Sequence, residues 1–376
     1  GRILMVSPED SWPYDRTRLS KAVMADPENE SRKTLRDDDF YKMIGVERIV
    51  AAAKALDPQQ RKVELDNGDT FNYDKLLIAT GSQPRTLDIQ GAGLKGVFTL
   101  RRPEDAEAIN ASAAEARQAV VVGASFIGLE CASGLREQGL KVDVIEKLST
   151  PFEKALGRQL GKRLQNLHEE NGVTFHLNAS VKAFHGQNRI QTVELQNGKT
   201  LEAQIVILGL GVQPCTNFIK NLDLNDDGGI NVNADMSVPG TDKTLFAAGD
   251  IAAFPWPPDA GNAMRFEHWR TAMQTGQRAG RGMMDIKSLE PVIPFFWTRQ
   301  HKFTLRYVGH ATSTEKTSID GEIDSKDFRL NYFQDNALRA VAASRNDQEM
   351  IVIHEAFRRG EFPDYAAMQS SEFSWI

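Results

Sequence analysis

The sequence predicts an α/β protein built on strand–helix–strand crossovers, followed by a separate C-terminal α+β region. The first observation is a continuous apolar run at residues 119–122 that leads into a glycine-rich turn and a helical stretch, which is typical of a buried parallel strand. The second is that each of the apolar runs at 76–79 and 245–248 is followed by a glycine within two residues. The third is a change after Pro291 and Pro294 to closely spaced strand-like segments ending in one helix.

Composition narrows the class of protein. The chain has 376 residues, of which 41% are hydrophobic and 26% charged, and its net charge is −6. A broadly basic nucleic-acid-binding surface is therefore not expected. No run approaches the roughly 20 apolar residues of a membrane-spanning helix. The first ten residues show no signal-peptide pattern, and with two cysteines this fits a reducing cytoplasm or the mitochondrial matrix equally.

The cysteines and histidines exclude further chemistry. Cys131 and Cys215 alone cannot form a disulfide framework, a CxxC redox pair or a cysteine-based zinc site. Six histidines show no metal-ligand spacing, so we expect surface or packing residues and no metal site. These are His168, His176, His185, His301, His310 and His354.

Periodicity and turn chemistry predict the elements in chain order. Asn67-Gly68 separates two short alternating segments and indicates a hairpin. The predicted strands are 3–6, 61–65, 70–73, 76–79, 119–122, 142–145, 205–210, 245–248, 304–308, 328–333 and 338–342. The predicted helices are 40–45, 104–117, 126–138, 157–170, 264–285 and 347–358.

The strongest motif is the turn from Gly123 to Gly128, between the strand at 119–122 and the next helix. Gly123 allows a tight turn, Gly128 allows close helix–strand packing, and the helix N-terminus presents N–H groups to a pyrophosphate. Ser125, Phe126 and Ile127 complete the predicted site. The alternative is a doubly wound sheet whose turn binds no ligand.

Two residues refine this prediction. Glu146 ends the following strand, 18 residues after Gly128, where a carboxylate can bind a ribose 2′-hydroxyl and repel the 2′-phosphate of NADP. The sequence therefore favours NADH, although the adjacent Lys147 leaves NADPH open. Ser125 stands where the fingerprint has glycine, and a small side chain with a hydroxyl donor is a tolerable variant there.

Several segments together point to a family. Residues 13–21, 77–81, 123–128 and 246–250 occur in the family's order, together with the segments 267–269 and 296–298. On these motifs the chain resembles the two-dinucleotide-domain flavoprotein reductases. It is most similar to the apoptosis-inducing-factor-like proteins, the branch related to ferredoxin, rubredoxin and putidaredoxin reductases. The resemblance covers nearly all of residues 1–360.

The resemblance implies a glutathione-reductase-like fold with two Rossmann-like three-layer dinucleotide-binding domains and a C-terminal α+β domain. It implies FAD and NAD as cofactors. The FAD-binding domain is expected in two parts, 1–102 and 229–290. The NAD-binding domain is expected at 103–228 and the C-terminal reductase domain at 291–376.

The resemblance also implies roles for individual residues. Arg16 and Lys21 are expected beside the flavin and its phosphates, and Trp297 at the flavin ring. Asp250 is expected to bind a ribitol hydroxyl. The remaining residues assigned to the cofactor site are Thr80, Gly81, Arg85, Gly211, Gly249, Glu267, His268 and Trp269.

Glu130 is the candidate catalytic residue together with Lys21. In the family this position pairs with the lysine beside the reactive flavin nitrogen, and such a pair would fix the dipoles there during hydride transfer. The alternative places Glu130 in the first turn of its helix, where it would only stabilise the N-terminus.

The lack of a CxxC pair affects the predicted electron path. Electrons taken up as hydride from NADH would leave the flavin directly, for a ferredoxin, rubredoxin or Rieske-type protein, a quinone or oxygen. The function predicted is an FAD-dependent NADH oxidoreductase. The alternative is a non-catalytic, flavin-poor structural or interaction subunit of a larger assembly.

One expected motif is not found. The family's FAD domain opens with its own glycine-rich phosphate turn, whereas this chain starts at Gly1 in the strand that should follow, with Glu9 near the usual ribose-binding acid. Three explanations stay open: the chain is a fragment, a second chain completes the sheet, or FAD binding has been lost. Retention of Lys21, Glu130 and Asp250 favours the oxidoreductase, and the missing turn favours the interaction subunit.

Overall fold

The structure is a computed structural model that describes residues 1–27, 33–256, 263–287, 290–344, 347–370 and 373–375. The chain forms two compact units. The first unit consists of Gly1–Asp15, Arg32–Gln83 and Gln213–Pro294, and the second of Arg16–Ser31, Pro84–Val212 and Phe295–Ile376. Within the described ranges, no helix is long and apolar enough to cross a membrane.

The elements follow in chain order. The helices are α1 (Ala22–Ala25), α2 (Asp38–Met43), α3 (Pro103–Ala113), α4 (Phe126–Glu137), α5 (Glu153–Glu170), α6 (Trp269–Met283), α7 (Asp347–Arg358) and α8 (Tyr365–Gln369). The first strands are β1 (Ile3–Ser7), β2 (Val46–Val50), β3 (Ala53–Asp57), β4 (Lys62–Leu65), β5 (Thr70–Asn72), β6 (Leu76–Ile78), β7 (Ser82–Pro84), β8 (Val97–Phe98), β9 (Gln118–Val122), β10 (Lys141–Ile145), β11 (Val173–His176) and β12 (Val181–His185). The others are β13 (Thr192–Leu195), β14 (Thr200–Glu202), β15 (Ile205–Leu208), β16 (Val212–Pro214), β17 (Ile230–Asn231), β18 (Leu245–Ala247), β19 (Ala252–Pro255), β20 (Ala263–Arg265), β21 (Phe295–Gln300), β22 (Phe303–Gly309), β23 (Lys316–Gly321), β24 (Phe328–Gln334) and β25 (Ala337–Ser344).

The first unit combines parallel and antiparallel pairs. β1 pairs in parallel with β2, and β6 pairs in parallel with β18, whose three residues are fully buried. The apolar run that predicted β18 is therefore a core strand, whereas β1 is only partly buried and its Ile3 is exposed. β4 and β5 form the predicted hairpin, with Gly68 at φ 92° in its turn. Only glycine takes this left-handed conformation readily.

One helix prediction in the first unit was wrong at its start. The predicted helix at 264–285 begins at Trp269, because residues 263–265 form β20 and pair antiparallel with β19. Met264 lies opposite Phe254 in this pair. The extended His268, with φ −126° and ψ 132°, precedes the helix. Pairing with a neighbouring strand thus overrides a helical pattern.

The second unit contains a parallel sheet with the strand order β11-β10-β9-β15-β8. β9 lies between β10 and β15, and its residues 119–121 are fully buried, which is why an unbroken run of apolar side chains suits it. Helix α4 connects β9 to β10 as the predicted crossover. Helix α5 begins earlier than predicted, at Glu153, and is interrupted at Gly157, which has φ 78°.

The C-terminal part of the second unit is an antiparallel sheet in the order β21-β22-β25-β24-β23, with α7 against β22. This agrees with the predicted α+β region, and α7 has the predicted bounds. The sequence did not predict β21 and β23, the two edge strands. β23 is largely exposed and polar, so it carries no clear apolar alternation.

Candidate active site

The glycine-rich turn has the backbone geometry that a phosphate-binding turn needs. β9 ends at Val122, Gly123 has φ 96°, and α4 begins at Phe126. A Cβ atom on Gly123 would lie 2.4 Å from the carbonyl oxygen of Gly209, and one on Gly128 would lie 2.3 Å from that of Gly123. Packing therefore requires glycine at both positions, and the backbone conformation requires it at Gly123 as well.

Ser125 explains why the middle glycine of the fingerprint is dispensable here. Its φ of −81° is open to any residue, so the side chain introduces no backbone strain. Ser125 is the N-cap of α4, and its Oγ accepts a hydrogen bond from Gly128 N at 3.2 Å. The hydroxyl oxygen thus satisfies one of the helix's unpaired N–H groups.

Glu146 lies directly at this turn. Its Oε2 accepts a hydrogen bond from Ala124 N at 2.8 Å, and its Oε1 accepts one from Leu148 N at 2.9 Å. A small cleft beside the turn is lined by Pro84, Leu100, Ser125, Ile127 and residues 208–212, which include the predicted Gly211. A helix N-terminus and a carboxylate on a glycine turn fit a dinucleotide without a 2′-phosphate.

The structure brings Lys21 and Glu130 together. Lys21 Nζ lies 2.9 Å from Glu130 Oε2, to which Ser20 Oγ also donates a hydrogen bond. Thr298 Oγ1 donates to the other oxygen, Oε1, at 2.7 Å. Only 3% of the Glu130 side chain is exposed, against 17% for Lys21. A buried carboxylate is stable in its charged form when both oxygens have donors, as they do here.

The alternative assignment for Glu130 was wrong. Glu130 is the fifth residue of α4, and the first turn of that helix holds no acidic residue. The stabilising effect of a helix N-terminus falls off within the first turn. Glu130 is therefore not a helix-terminus carboxylate, and its contacts are with Ser20, Lys21 and Thr298.

The other predicted site residues of the second unit have these contacts. Arg16 donates to Arg101 O at 2.6 Å. Arg85 donates from Nε to Val212 O at 3.1 Å and from its backbone N to Gly211 O at 2.9 Å. The Phe126 ring lies 4.6 Å from that of Phe152 and 4.8 Å from that of Phe296. Trp297 lies on β21, directly before Thr298.

In the first unit the structure groups Asp250 with Glu267 through one arginine. Arg265 donates to the backbone carbonyl of Asp250, to Glu267 Oε1 at 2.9 Å and to Asp227 Oδ2 at 2.7 Å. Burial raises the pKa of Glu267, and the charge of Arg265 opposes this shift. The sequence did not single out Arg265, which organises this group.

The remaining predicted residues of the first unit lie at chain turns. Thr80 Oγ1 donates to Cys215 O at 2.7 Å, and Cys215 N donates to Gly81 O at 2.9 Å. Gly249 N donates to Thr275 Oγ1 at 3.0 Å. His268 is the residue before α6, and Trp269 is its first residue.

Helix α6 carries polar atoms suited to a polar ligand. Thr271 Oγ1 and Gln274 Oε1 are buried, and neither has a hydrogen-bond partner in the part of the chain that the structure describes. A buried polar group without a partner is costly, so native proteins rarely leave one. Their positions near the start of α6, beside the predicted Glu267–Trp269 segment, fit contact with a polar cofactor such as FAD.

Sequence reasoning missed a histidine pair. His168 is fully buried, and its Nδ1 lies 3.0 Å from His301 Nε2 although the two are 133 residues apart. His168 Nε2 lies 2.8 Å from Gln300 Oε1. Burial lowers the pKa of His168 to about 3 and that of His301 to about 4, with Arg136 adding to the second shift. No spacing signal could have revealed the pair.

Comparison with known proteins now defines the class. The chain belongs to the pyridine nucleotide-disulphide oxidoreductases, which residues 1–276 match, and residues 295–374 match the reductase C-terminal domain. The predicted family and fold class are thereby confirmed.

Three relatives illustrate the match. Apoptosis-inducing factor 3 of Mus musculus is 33% identical over 100% of this chain and 63% of its own length. Rhodocoxin reductase of Rhodococcus erythropolis is 32% identical over 91% of this chain and 80% of its own length. A ferredoxin reductase structure from Rhodopseudomonas palustris has a TM-score of 0.89 at 25% identity, covering 100% of this chain and 92% of that one. The chain thus spans less than two thirds of the apoptosis-inducing factor 3 sequence.

Gly123→Ala tests the turn. We expect a loss of at least about 3 kcal/mol in the free energy of unfolding, because the Cβ atom adds a clash to an unfavourable φ. NADH binding, followed by fluorescence, should be lost with it. The control is Gly139→Ala, since Gly139 has φ 91° but no atom within 4 Å of its Cβ position. An equal loss in both variants would show that the Gly209 contact is unimportant.

The histidine pair predicts a pH dependence of stability. The folded state holds His168 neutral, whereas an unfolded histidine takes up a proton near pH 6.5. The contribution of His168 to the free energy of unfolding is therefore fully present above pH 6.5 and is lost as the pH falls from 6.5 towards 3. Between pH 6.5 and 5, His168→Gln should reduce this loss by about 2 kcal/mol, since one pH unit corresponds to about 1.4 kcal/mol. Denaturant titrations that show equal pH slopes for variant and parent would contradict this.

Proposed function

We propose that the chain is an FAD-dependent NADH oxidoreductase that passes electrons to a one-electron protein acceptor without a redox disulfide. The observation that carries the proposal is the buried Lys21–Glu130 pair, in the same unit as the Gly123 turn. A charge buried at this depth costs several kcal/mol unless it is paired. A protein with a purely structural role would therefore gain little stability from this pair.

The nicotinamide dinucleotide is proposed to bind at the start of α4. N–H groups of the turn face the pyrophosphate, and the partial positive charge of the helix N-terminus attracts it. Glu146, held at the turn by Ala124 N and Leu148 N, is proposed to bind the adenosine ribose. A 2′-phosphate would meet this carboxylate, which is why NADH is preferred over NADPH.

FAD, when bound, would accept a hydride and release the electrons one at a time. The residues proposed to hold it are those that the family resemblance assigns to the flavin site. They are Arg16, Lys21, Thr80, Gly81, Arg85, Gly249, Asp250, Glu267, His268, Trp269 and Trp297. We propose the domain bounds 1–102 with 229–290 for FAD, 103–228 for NAD and 291–376 for the C-terminal domain.

Lys21 and Glu130 are proposed as the catalytic pair. The Lys21 ammonium can stabilise negative charge that develops beside it during hydride transfer. Glu130 Oε2 holds that ammonium at 2.9 Å, so its position is fixed before the reaction. Burial of the pair excludes water and strengthens this electrostatic effect.

A ferredoxin- or Rieske-type protein is the proposed acceptor. The R. palustris structure is that of a ferredoxin reductase, and this chain matches 92% of its length. Cys131 offers no thiol relay, because it is fully buried in α4 and burial raises its pKa. A reducing compartment, cytoplasmic or mitochondrial, is proposed with this function.

The second candidate is a non-catalytic interaction subunit. The absorption spectrum of protein incubated with FAD and desalted separates the two functions. Retained flavin absorption supports the oxidoreductase, and its absence supports the interaction subunit.

Glu130→Ala tests the catalytic pair. We expect FAD content to stay near that of the parent and flavin reduction by NADH to slow by about 10- to 100-fold, since Lys21 loses the partner that fixes it. Stopped-flow absorbance under anaerobic conditions measures this rate. Glu137→Ala, at an exposed position of the same helix, is the matched control and should reduce at the parent rate. Equal rates for Glu130→Ala and the parent would remove Glu130 from the proposed mechanism.

A further inference from the structure

A continuous line of hydrogen bonds runs away from Glu130 through the C-terminal sheet. Thr298 Oγ1 lies 2.7 Å from Glu130 Oε1, and Gln300 Nε2 lies 3.0 Å from Thr298 Oγ1. Gln300 Oε1 lies 2.8 Å from His168 Nε2, and His168 Nδ1 lies 3.0 Å from His301 Nε2. Two segments of the chain, helix α5 and strand β21 with its following turn, thereby meet the helix that carries Glu130.

Every bond in this line has one direction. An ionised carboxylate only accepts, so the single hydrogen of Thr298 Oγ1 is donated to Glu130. Thr298 must then accept from the Gln300 amide NH₂, which turns the amide oxygen towards His168. That oxygen accepts from His168 Nε2–H, so His168 Nδ1 is bare and accepts from His301 Nε2–H. The donors all point towards Glu130.

The direction matters for Glu130. If the Gln300 amide were reversed, its oxygen would compete for the one hydrogen of Thr298, and Glu130 Oε1 would lose its donor. Reversal is opposed because it would set the amide NH₂ against His168 Nε2–H. Which ring nitrogen of His168 carries the proton therefore decides whether Glu130 Oε1 keeps its hydrogen bond from Thr298.

We infer that Thr298 and Gln300 are positioning residues for the Glu130 carboxylate, and that the His168–His301 pair fixes the orientation of the Gln300 amide. The inference rests on the proposed function, in which Glu130 holds Lys21 beside the flavin. Thr298 occupies Oε1 and so leaves Oε2 to Lys21 and Ser20.

The strand and its turn support this role. Thr298 and Gln300 are each 1% exposed and share one face of β21, whereas Arg299 between them is exposed. The two-residue turn to β22 consists of His301 and Lys302, with φ of 46° and 64°. Such turns strongly favour Asn-Gly, so a histidine here is a locally unfavourable choice.

The backbone of the same turn is also tied to α4. His301 N donates to Ser133 Oγ at 2.7 Å, and Ser133 lies three residues after Glu130 on that helix. The backbone of His301 therefore contacts helix α4 directly. The side chain of His301 connects to the Glu130 carboxylate through the line of hydrogen bonds. This double attachment holds β21 and α4 in fixed register around Glu130.

Thr298→Val tests the positioning role, because it keeps the shape of the side chain and removes its hydroxyl. In FAD-loaded protein we expect the limiting rate of flavin reduction to fall about tenfold, with the NADH concentration at half-saturation unchanged. Thr298→Ser restores the hydroxyl and should stay within about twofold of the parent. Arg299→Gln, on the opposite face of β21, should have the parent rate. A Thr298→Val rate equal to the parent rate would overturn the inference.

A second readout does not depend on activity. In protein labelled with ¹⁵N-histidine, the ring nitrogen shifts report which nitrogen of His168 carries the proton. The inference requires the Nε2–H form, and an Nδ1–H form would overturn it. This measurement needs no flavin, so it decides the direction of the bonds even in protein that NADH fails to reduce. That failure would instead remove the proposed function.

Discussion

The burial of the Glu130 carboxylate is the constraint on which the rest of the site depends. A carboxylate removed from water is tolerated only when donors replace the lost solvent. Ser20 and Lys21 supply donors to one oxygen and Thr298 to the other, from positions up to 168 residues away from Glu130 in the sequence. The segments that carry these donors must therefore pack around Glu130, because its buried charge requires all of their hydrogen bonds.

Helix α4 connects this charge to the dinucleotide turn. Its N-terminus is fixed by Gly123 and by the Ser125 cap, and Glu130 and Ser133 follow on the same rigid element. A phosphate bound at the start of the helix and a carboxylate one turn further on thus keep a constant separation. The proposed hydride-donor site and Glu130 of the proposed catalytic pair therefore lie on one secondary-structure element.

The sequence predicted the parts of the site that are local. Gly123 and Gly128 could be predicted because both belong to one strand–turn–helix segment. Their spacing alone indicates that a side chain at either position would be too large. The pairing of Lys21 with Glu130 came from resemblance to a family, because no periodicity relates residues 109 positions apart. The contacts of His168 and His301 were missed for the same physical reason. Tertiary pairing also decided the start of α6, where a neighbouring strand outcompeted the helical pattern.

The central claim, that Lys21 and Glu130 act as one unit, is tested most directly by a double-mutant cycle on the anaerobic rate of flavin reduction by NADH. The variants are Lys21→Met, Glu130→Gln and the double variant, each loaded with FAD. We predict that the double variant is no slower than the slower single variant, since either change already disables the pair. Rate losses that multiply would show that the two side chains act independently and would contradict the account.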